Sequence, residues 1–322
     1  MKIAFHGGNA ANFRAGFAEM LDGGHEIVDL RDALDHPGER EHFASAEVII
    51  GIRLGAAEPH PAKLRLYHAP AAGVDAIDAS RLPNGGRLCN CFGHEHAIAE
   101  YVFAALLQRH APIADADSRM RKGEWKYWAG TPGALRTELG SQTIGLLGFG
   151  HIGRAVAARA KAFGMGVVVA NRSAVPASPL VDKSYGLDAL HQFIGAADAI
   201  VVSLPLTDET KGLVDVTALA AMRPDAVILN VGRGPVIDEA ALYDALKSRR
   251  IGGAIIDTWY TYPSASALET QPSRLPFNTL DNVVMTPHMS GWTHGTVRRR
   301  QKTIADNVNR LQRGLPLVNV LR

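Results

Sequence analysis

Residues 143–157 read TIGLLGFGHIGRAVA. A short apolar run passes directly into a glycine-rich turn, and the turn into an alanine-rich segment with helical pattern that reaches Phe163. Gly148, Gly150 and Gly153 have the spacing G-x-G-x-x-G, with a strand before them and a helix after. The first glycine permits a tight turn, the second lets a pyrophosphate approach the backbone, and the third lets helix lie against strand. The helix start adds free N–H groups and the positive end of its dipole. In this context the stretch predicts a dinucleotide site within a parallel α/β fold.

Working outward, the same rhythm repeats. The runs GVVVANRS, DAIVVSLPL, AVILNVGRG and GAIIDTWY follow, each separated from the next by helical pattern. Apolar runs alternating with helices predict a parallel, doubly wound sheet. Upstream, KIAFHG, HEIVDL, AEVIIGIR and LRLYHA read as strands, and NFRAGFAEML as an amphipathic helix. A long helix is expected from about Glu95 to Arg109, then an irregular arm, GEWKYWAGTPGALRTELG. Near Met285 the pattern changes again, and VVMTPHMSGWTHGTVRRR leads into a C-terminal amphipathic helix. A nucleotide domain, residues 95–286, is therefore expected as an insertion into a substrate domain made of residues 1–94 and 287–322.

Composition narrows the function. A chain of 322 residues suits two domains, each with its own core. Basic residues number 34 and acidic ones 32, a net charge of +2 that argues against nucleic acid or membrane as partner. Arg298, Arg299 and Arg300 read as a solvated helix face. Cys89 and Cys91 are too close for a usual disulfide and do not match a zinc pair, so a reduced cytoplasmic protein is expected. MKIAFHGGNA lacks a signal-peptide core, and no apolar stretch approaches the ~18 residues of a membrane span. His94 and His96 read as polar residues rather than metal ligands, and no metal is expected.

The cofactor's ribose is read at the next strand end. An NAD site carries an acid about 20 residues beyond the glycines. This chain has Asn171, Arg172 and Ser173 there. With no carboxylate to repel a 2′-phosphate and an arginine to pair with it, NADP is expected ahead of NAD. Two further strand ends carry reactive groups. Arg233 lies between glycines in NVGRG, and His288 follows a proline in TPHMSG. Such a pair suits 2-keto acid reduction: arginine grips the carboxylate with its fork, and histidine supplies the hydroxyl proton.

The chain resembles the D-isomer-specific 2-hydroxyacid dehydrogenases over nearly its whole length, through AAGVDAID, AEYVFAALL, TIGLLGFGHIGRAVA, SLPLTDETKGLVD, ILNVGRGPVIDEAAL, AIIDTW and TPHMSG. The resemblance implies two Rossmann-like domains around a cleft, hydride transfer with a nicotinamide cofactor, and a homodimer. It assigns the substrate carboxylate to Arg233 and acid/base work to His288. His151 and Ile152 contribute backbone to the pyrophosphate cradle, and Leu204 and Pro205 pack against the cofactor. Val231 and Gly232 lie on the cofactor side, and Asp257 at the nicotinamide carboxamide. Gly73 and Val74 offer N–H groups to the substrate carboxylate. Arg53 matches an arginine near the substrate in phosphoglycerate-type members, and His94 falls where several members place a pocket asparagine. The arm with Trp125 and Trp128 commonly helps such enzymes dimerise. Leu54, His94, Trp292 and Tyr262 would read the variable end of the keto acid, and these bulky side chains suit either a small one such as glyoxylate or hydroxypyruvate or an aromatic one that stacks.

One position departs from the pattern. Family members carry a glutamate, followed by proline, that pairs with the catalytic histidine; here Tyr262 precedes Pro263. A carboxylate favours charged imidazole and a phenol does not, so keto acid reduction is expected to decline at lower pH than in glutamate-containing relatives. Tyr262 would orient the ring, or Glu95 or Glu269 would replace the missing acid. The change admits two alternatives: formate oxidation, as in formate dehydrogenases of the same superfamily that also lack this glutamate, and a nucleotide sensor without turnover.

Overall fold

The computed structural model describes residues 1–133, 135–264 and 267–322. The chain divides into two compact units, Met1–His94 with Trp292–Arg322, and Glu95–Gly291.

In the first unit β1 (Lys2–His6), β2 (Glu26–Leu30), β3 (Val48–Ile50), β4 (Leu66–His68) and β5 (Arg87–Cys89) form a parallel sheet in the order β2-β1-β3-β4-β5. Successive residues of its central strands face opposite sides. Ile3, Phe5, Val48 and Ile50 pack with Ile304, Ala305 and Val308 of the C-terminal helix, and Ala4, Ile49 and Tyr67 pack with Phe43. Burial on both faces explains the continuous apolar runs. The chain end covers the β5 edge, where Leu88 donates to the Arg322 carbonyl and accepts from the Leu321 amide.

The helix expected over residues 12–21 does not form. Helix α1 occupies Gly7–Ala11 instead, and a short 3₁₀ turn spans Ala18–Met20. Asn12 stops α1, its amide donating back to the Gly8 and Asn9 carbonyls. Gly16 has φ +72°, a left-handed conformation that ends any α-helix. Phe13 and Phe17 are still buried, so the apolar spacing was core packing in another geometry. Helix α2 covers Glu39–Ser45.

The second unit opens with α3 (Glu95–His110) and α4 (Ile113–Met120). Then follow β6 (Thr143–Leu147), α5 (His151–Ala162), β7 (Gly166–Ala170), β8 (Lys183–Tyr185), α6 (Leu190–Gly195) and β9 (Ala199–Val202). After α7 (Val216–Ala221), β10 (Val227–Asn230), α8 (Glu239–Lys247), β11 (Gly253–Ile256) and β12 (Val283–Met285) complete the unit. The sheet is parallel, in the order β12-β11-β10-β9-β6-β7-β8. Val201 and Leu229 face α3 and α5, whereas Ile200 and Ile228 face α6, α7 and α8. This is the doubly wound arrangement that the repeated runs predict. Strands β5, β8 and β12, each three residues long, add to the runs read from the sequence. Strand order reverses between β6 and β9, so the loops after these strands lie at a topological switch point, where open α/β sheets bind ligands. Helix α9 (His294–Arg313) returns to the first unit.

Candidate active site

The glycine turn follows β6. Gly148 has φ +101°, and a Cβ there would sit 3.1 Å from the Ser203 hydroxyl. A Cβ on Gly153 would lie 2.4 Å from the Gly148 carbonyl oxygen, so helix and turn touch only because both residues are glycine. Around Gly150 the space is open. Gly150 also starts α5 and supplies no side chain to its first turn, which begins at His151, Ile152 and Gly153. An open glycine cradle on the N-terminus of a twelve-residue helix fits a dinucleotide pyrophosphate.

At the end of β7 the Asn171 side chain accepts from the Phe149 amide at 3.4 Å and donates to the Ser173 carbonyl at 3.0 Å. It ties this turn to the glycine turn and leaves Arg172 and Ser173 exposed. Glu209 is also exposed. The Thr207 hydroxyl is the main cause holding its carboxyl below the ordinary range, with a further contribution from Arg172. The Leu204 side chain is buried in the core, and Pro205 is exposed with its carbonyl taking the Thr210 hydroxyl. The Leu204 backbone braces the turn after β10: a Cβ on Gly232 would meet the Leu204 carbonyl at 2.8 Å.

That turn carries Arg233, and a residue the sequence reading passed over shapes it. Asn230, buried at the end of β10, accepts from the Gly232 amide at 3.2 Å and donates to the Arg233 carbonyl at 3.0 Å. Val231 is buried beside it. Arg233 is extended, its Nη1 donating to the Gly232 carbonyl at 2.9 Å. Gly234 follows because the Trp259 carbonyl lies where its Cβ would be.

His288 has φ +56°. A left-handed histidine is strained and persists only where its surroundings hold it. Asp257, fully buried after β11, accepts from the Thr286 hydroxyl at 2.6 Å, the Met289 amide at 2.9 Å and the Ser290 amide at 3.0 Å. The aspartate thus clamps both sides of the histidine, work the sequence reading did not assign to it. Trp259 adds a second hold, its indole N–H donating to the Thr286 carbonyl at 2.8 Å while the ring packs on Phe277. The aromatic cluster is therefore structural at Trp259 and at Tyr260, whose hydroxyl donates to the Ile237 carbonyl.

Tyr262 differs. Its hydroxyl oxygen accepts from the Trp259 amide at 3.0 Å and lies 2.9 Å from His288 Nδ1. Burial pushes its phenol pKa up from 10.0, more than the Trp259 amide and Arg233 pull it down, so it stays neutral at ordinary pH. The phenol thus meets the ring at Nδ1. Glu269 is solvent-exposed.

In the first unit, taken by itself, the loop after β4 carries Gly73 and Val74. The preceding residues are fixed from three sides: Asn90 donates to the Ala72 carbonyl, Cys91 to that of Ala71, and Arg300 to that of Pro70. Arg300 is buried, so the expectation of a fully solvated arginine face fails at this residue. Arg53 binds Glu58 at 2.9 Å and the Asp32 carbonyl at 2.7 Å, and the Glu58 side chain is nearly inaccessible. The Arg53 charge is thus largely offset within the unit. His94 is half-buried at the unit's chain boundary, and Trp292 is exposed with its ring edge-on to Phe13. Leu54 is fully buried and cannot line a pocket.

Comparison with known proteins identifies the family. Residues 103–290 match the family described as "D-isomer specific 2-hydroxyacid dehydrogenase, NAD binding domain". The chain belongs to the D-isomer specific 2-hydroxyacid dehydrogenase family. Members of this dehydrogenase family are nicotinamide-dependent oxidoreductases. The chain is 31% identical over 256 residues to a glyoxylate reductase of Korarchaeum cryptofilum, covering 78% of this chain and 74% of that protein. It is 33% identical over 248 residues to a D-3-phosphoglycerate dehydrogenase of Mycobacterium leprae, covering 76% of this chain but only 44% of that one. A D-isomer specific 2-hydroxyacid dehydrogenase of Xanthobacter autotrophicus, solved with NADPH and MES, superposes over 100% of this chain and 98% of its own, with 27% identity and a TM-score of 0.80. No described helix of this family member is long and apolar enough to cross a membrane, and no group of side chains among the described residues is arranged to hold a metal.

Proposed function

We propose that the protein reduces a small 2-keto acid of the glyoxylate or hydroxypyruvate kind to a D-2-hydroxy acid, with NADPH as cofactor. The observation that carries the reading is a strained His288, clamped by Asp257 and met at Nδ1 by Tyr262, with Nε2 assigned as the reacting nitrogen. The nicotinamide, when bound, supplies the hydride. Arg233 holds the substrate carboxylate through its planar fork, and His288 gives its Nε2 proton to the carbonyl oxygen. Tyr262 orients the ring but does not replace that proton, because a phenol with a raised pKa does not ionise to feed Nδ1. The proton must therefore be one that His288 already carries.

NADP is favoured by the strand end Asn171-Arg172-Ser173, which carries an arginine and no carboxylate of its own. His151 and Ile152 would meet the pyrophosphate, with Leu204, Pro205, Val231 and Gly232 around the rest of the cofactor, while Asp257, fully buried, serves it only through the turn it holds. The offset charge of Arg53 argues against a phosphorylated substrate. A run of exposed apolar side chains, Ile113, Met120, Trp125, Trp128 and Leu135, supports a homodimer. Two free, buried cysteines suit the reducing cytoplasm.

Formate oxidation is a second reading. It needs no proton donor, so a neutral partner for His288 does not impair it. Following NADPH absorbance with glyoxylate and hydroxypyruvate, then NADP or NAD with formate, separates the readings. Keto acid turnover is expected. Formate turnover alone supports the second reading, and tight cofactor binding without turnover points to a sensor.

A further inference from the structure

We propose that Tyr101, on the second turn of α3, is a positioning residue for His288, acting through Thr286 and Asp257. The inference rests on the reading of His288 as proton donor.

The directions of the bonds joining Tyr101, Thr286 and Asp257 follow from counting donors. The Tyr101 hydroxyl lies 2.7 Å from the Thr286 hydroxyl, which lies 2.6 Å from an Asp257 carboxylate oxygen. A carboxylate only accepts, and threonine has a single hydroxyl proton. Thr286 therefore donates to Asp257, and Tyr101 donates to Thr286. The same Asp257 oxygen receives the Met289 amide, and its other oxygen the Ser290 amide. The Thr286 carbonyl receives the Trp259 indole and the His288 amide. A line of bonds thus runs from α3 to both residues beyond His288 and to the residue two before it.

Tyr101 is well placed to set this line. Its neighbours Ile98, Ala99, Val102, Phe103 and Leu106 anchor α3 against the sheet face shared with α5. The hydroxyl is therefore delivered by a rigid element rather than by a loop. The turn it reaches holds a histidine at φ +56°, whose relaxation would move the ring. Half-buried, with its pKa raised mainly by burial, Tyr101 keeps its proton and stays a donor. No substrate or cofactor contact is needed for this role.

Tyr101→Phe tests it. The expected result is a kcat for keto acid reduction lower by about fivefold, the size of one neutral hydrogen bond, with KM within about twofold. The solvent deuterium isotope effect on kcat should rise, because proton donation is the step disturbed. In protein carrying 13C-labelled histidine, the His288 ring signal should shift and broaden. Thr286→Val should reproduce these changes and Thr286→Ser should reverse them, since serine keeps the hydroxyl. A Tyr101→Phe protein with wild-type kcat, isotope effect and His288 signal overturns the proposal. So does Thr286→Ser being as impaired as Thr286→Val, or a kcat loss with an unmoved His288 signal. If the wild type reduces no keto acid, the functional reading fails, while the ring signal still decides the role of Tyr101.

Discussion

The hydroxyl of Tyr262 lies 2.9 Å from Nδ1 of His288 and accepts from the Trp259 amide. A phenol can donate one hydrogen bond and accept two, so it can meet either protonation state of the ring. Unlike a carboxylate, it adds no charge that stabilises imidazolium. At this ring nitrogen the partner orients without adding charge.

Replacing Tyr262 with glutamate therefore separates the two effects. With keto acid as substrate, the basic limb of the kcat/KM profile for Tyr262→Glu should move to higher pH than in wild type. The charged form of His288 then persists further up the pH scale. Tyr262→Phe should leave the limb near its wild-type position but lower kcat about tenfold through loss of orientation. Identical limbs in wild type and Tyr262→Glu would refute the argument.

Asn230 makes a second test. Its side chain fixes Gly232 and the Arg233 carbonyl, so Asn230→Ala should loosen the arginine without touching the proton donor. The KM for keto acid should rise about tenfold, or ~1.4 kcal/mol, with kcat changed far less. A lower kcat at unchanged KM would place Asn230 elsewhere in the reaction.

Cofactor choice turns on Arg172. If its guanidinium pairs with the 2′-phosphate, Arg172→Ala should raise the KM for NADPH by roughly tenfold or more while leaving that for NADH nearly unchanged. Equal effects on both cofactors would remove the 2′-phosphate from the argument.

The sequence exposed what is repetitive and hid what is specific. The runs around β6, β7, β9, β10 and β11 are buried on both faces, so each is apolar throughout and easily read. The GFGHIG turn is legible because steric need leaves glycine little choice at Gly148 and Gly153. The absent helix over residues 12–21 misled because Phe13 and Phe17 keep helical spacing while Gly16 breaks the helix. At the candidate site, Arg233, His288 and Tyr262 could be named from motifs, and Tyr262 is found on His288. Asn230, Thr286, Tyr101, Asn90 and Arg300 could not. Their roles depend on hydrogen bonds between segments distant in sequence, which leave no local pattern.

The first unit carries a built-in sensitivity to acid. His68 is fully buried, and Asn307 fixes its state: the Asn307 carbonyl oxygen takes the Val318 amide, leaving its NH2 to donate to His68 Nε2 at 2.9 Å. Nδ1 then carries the proton, facing the Ala69 carbonyl at 3.3 Å. Protonating Nε2 would set a donor against a donor in a dry site. Burial accordingly drives the pKa of His68 down from 6.5 to about 4. The unfolded chain binds this proton more readily than the folded one, so stability is complete above pH ~6.5 and falls as pH drops toward 4. The loss is at most on the order of 3 kcal/mol. Urea unfolding between pH 7.5 and 4.5 should show the wild type losing more stability than His68→Gln, which has no titrating ring. Parallel losses in the two proteins would show that His68 is not the sensitive group.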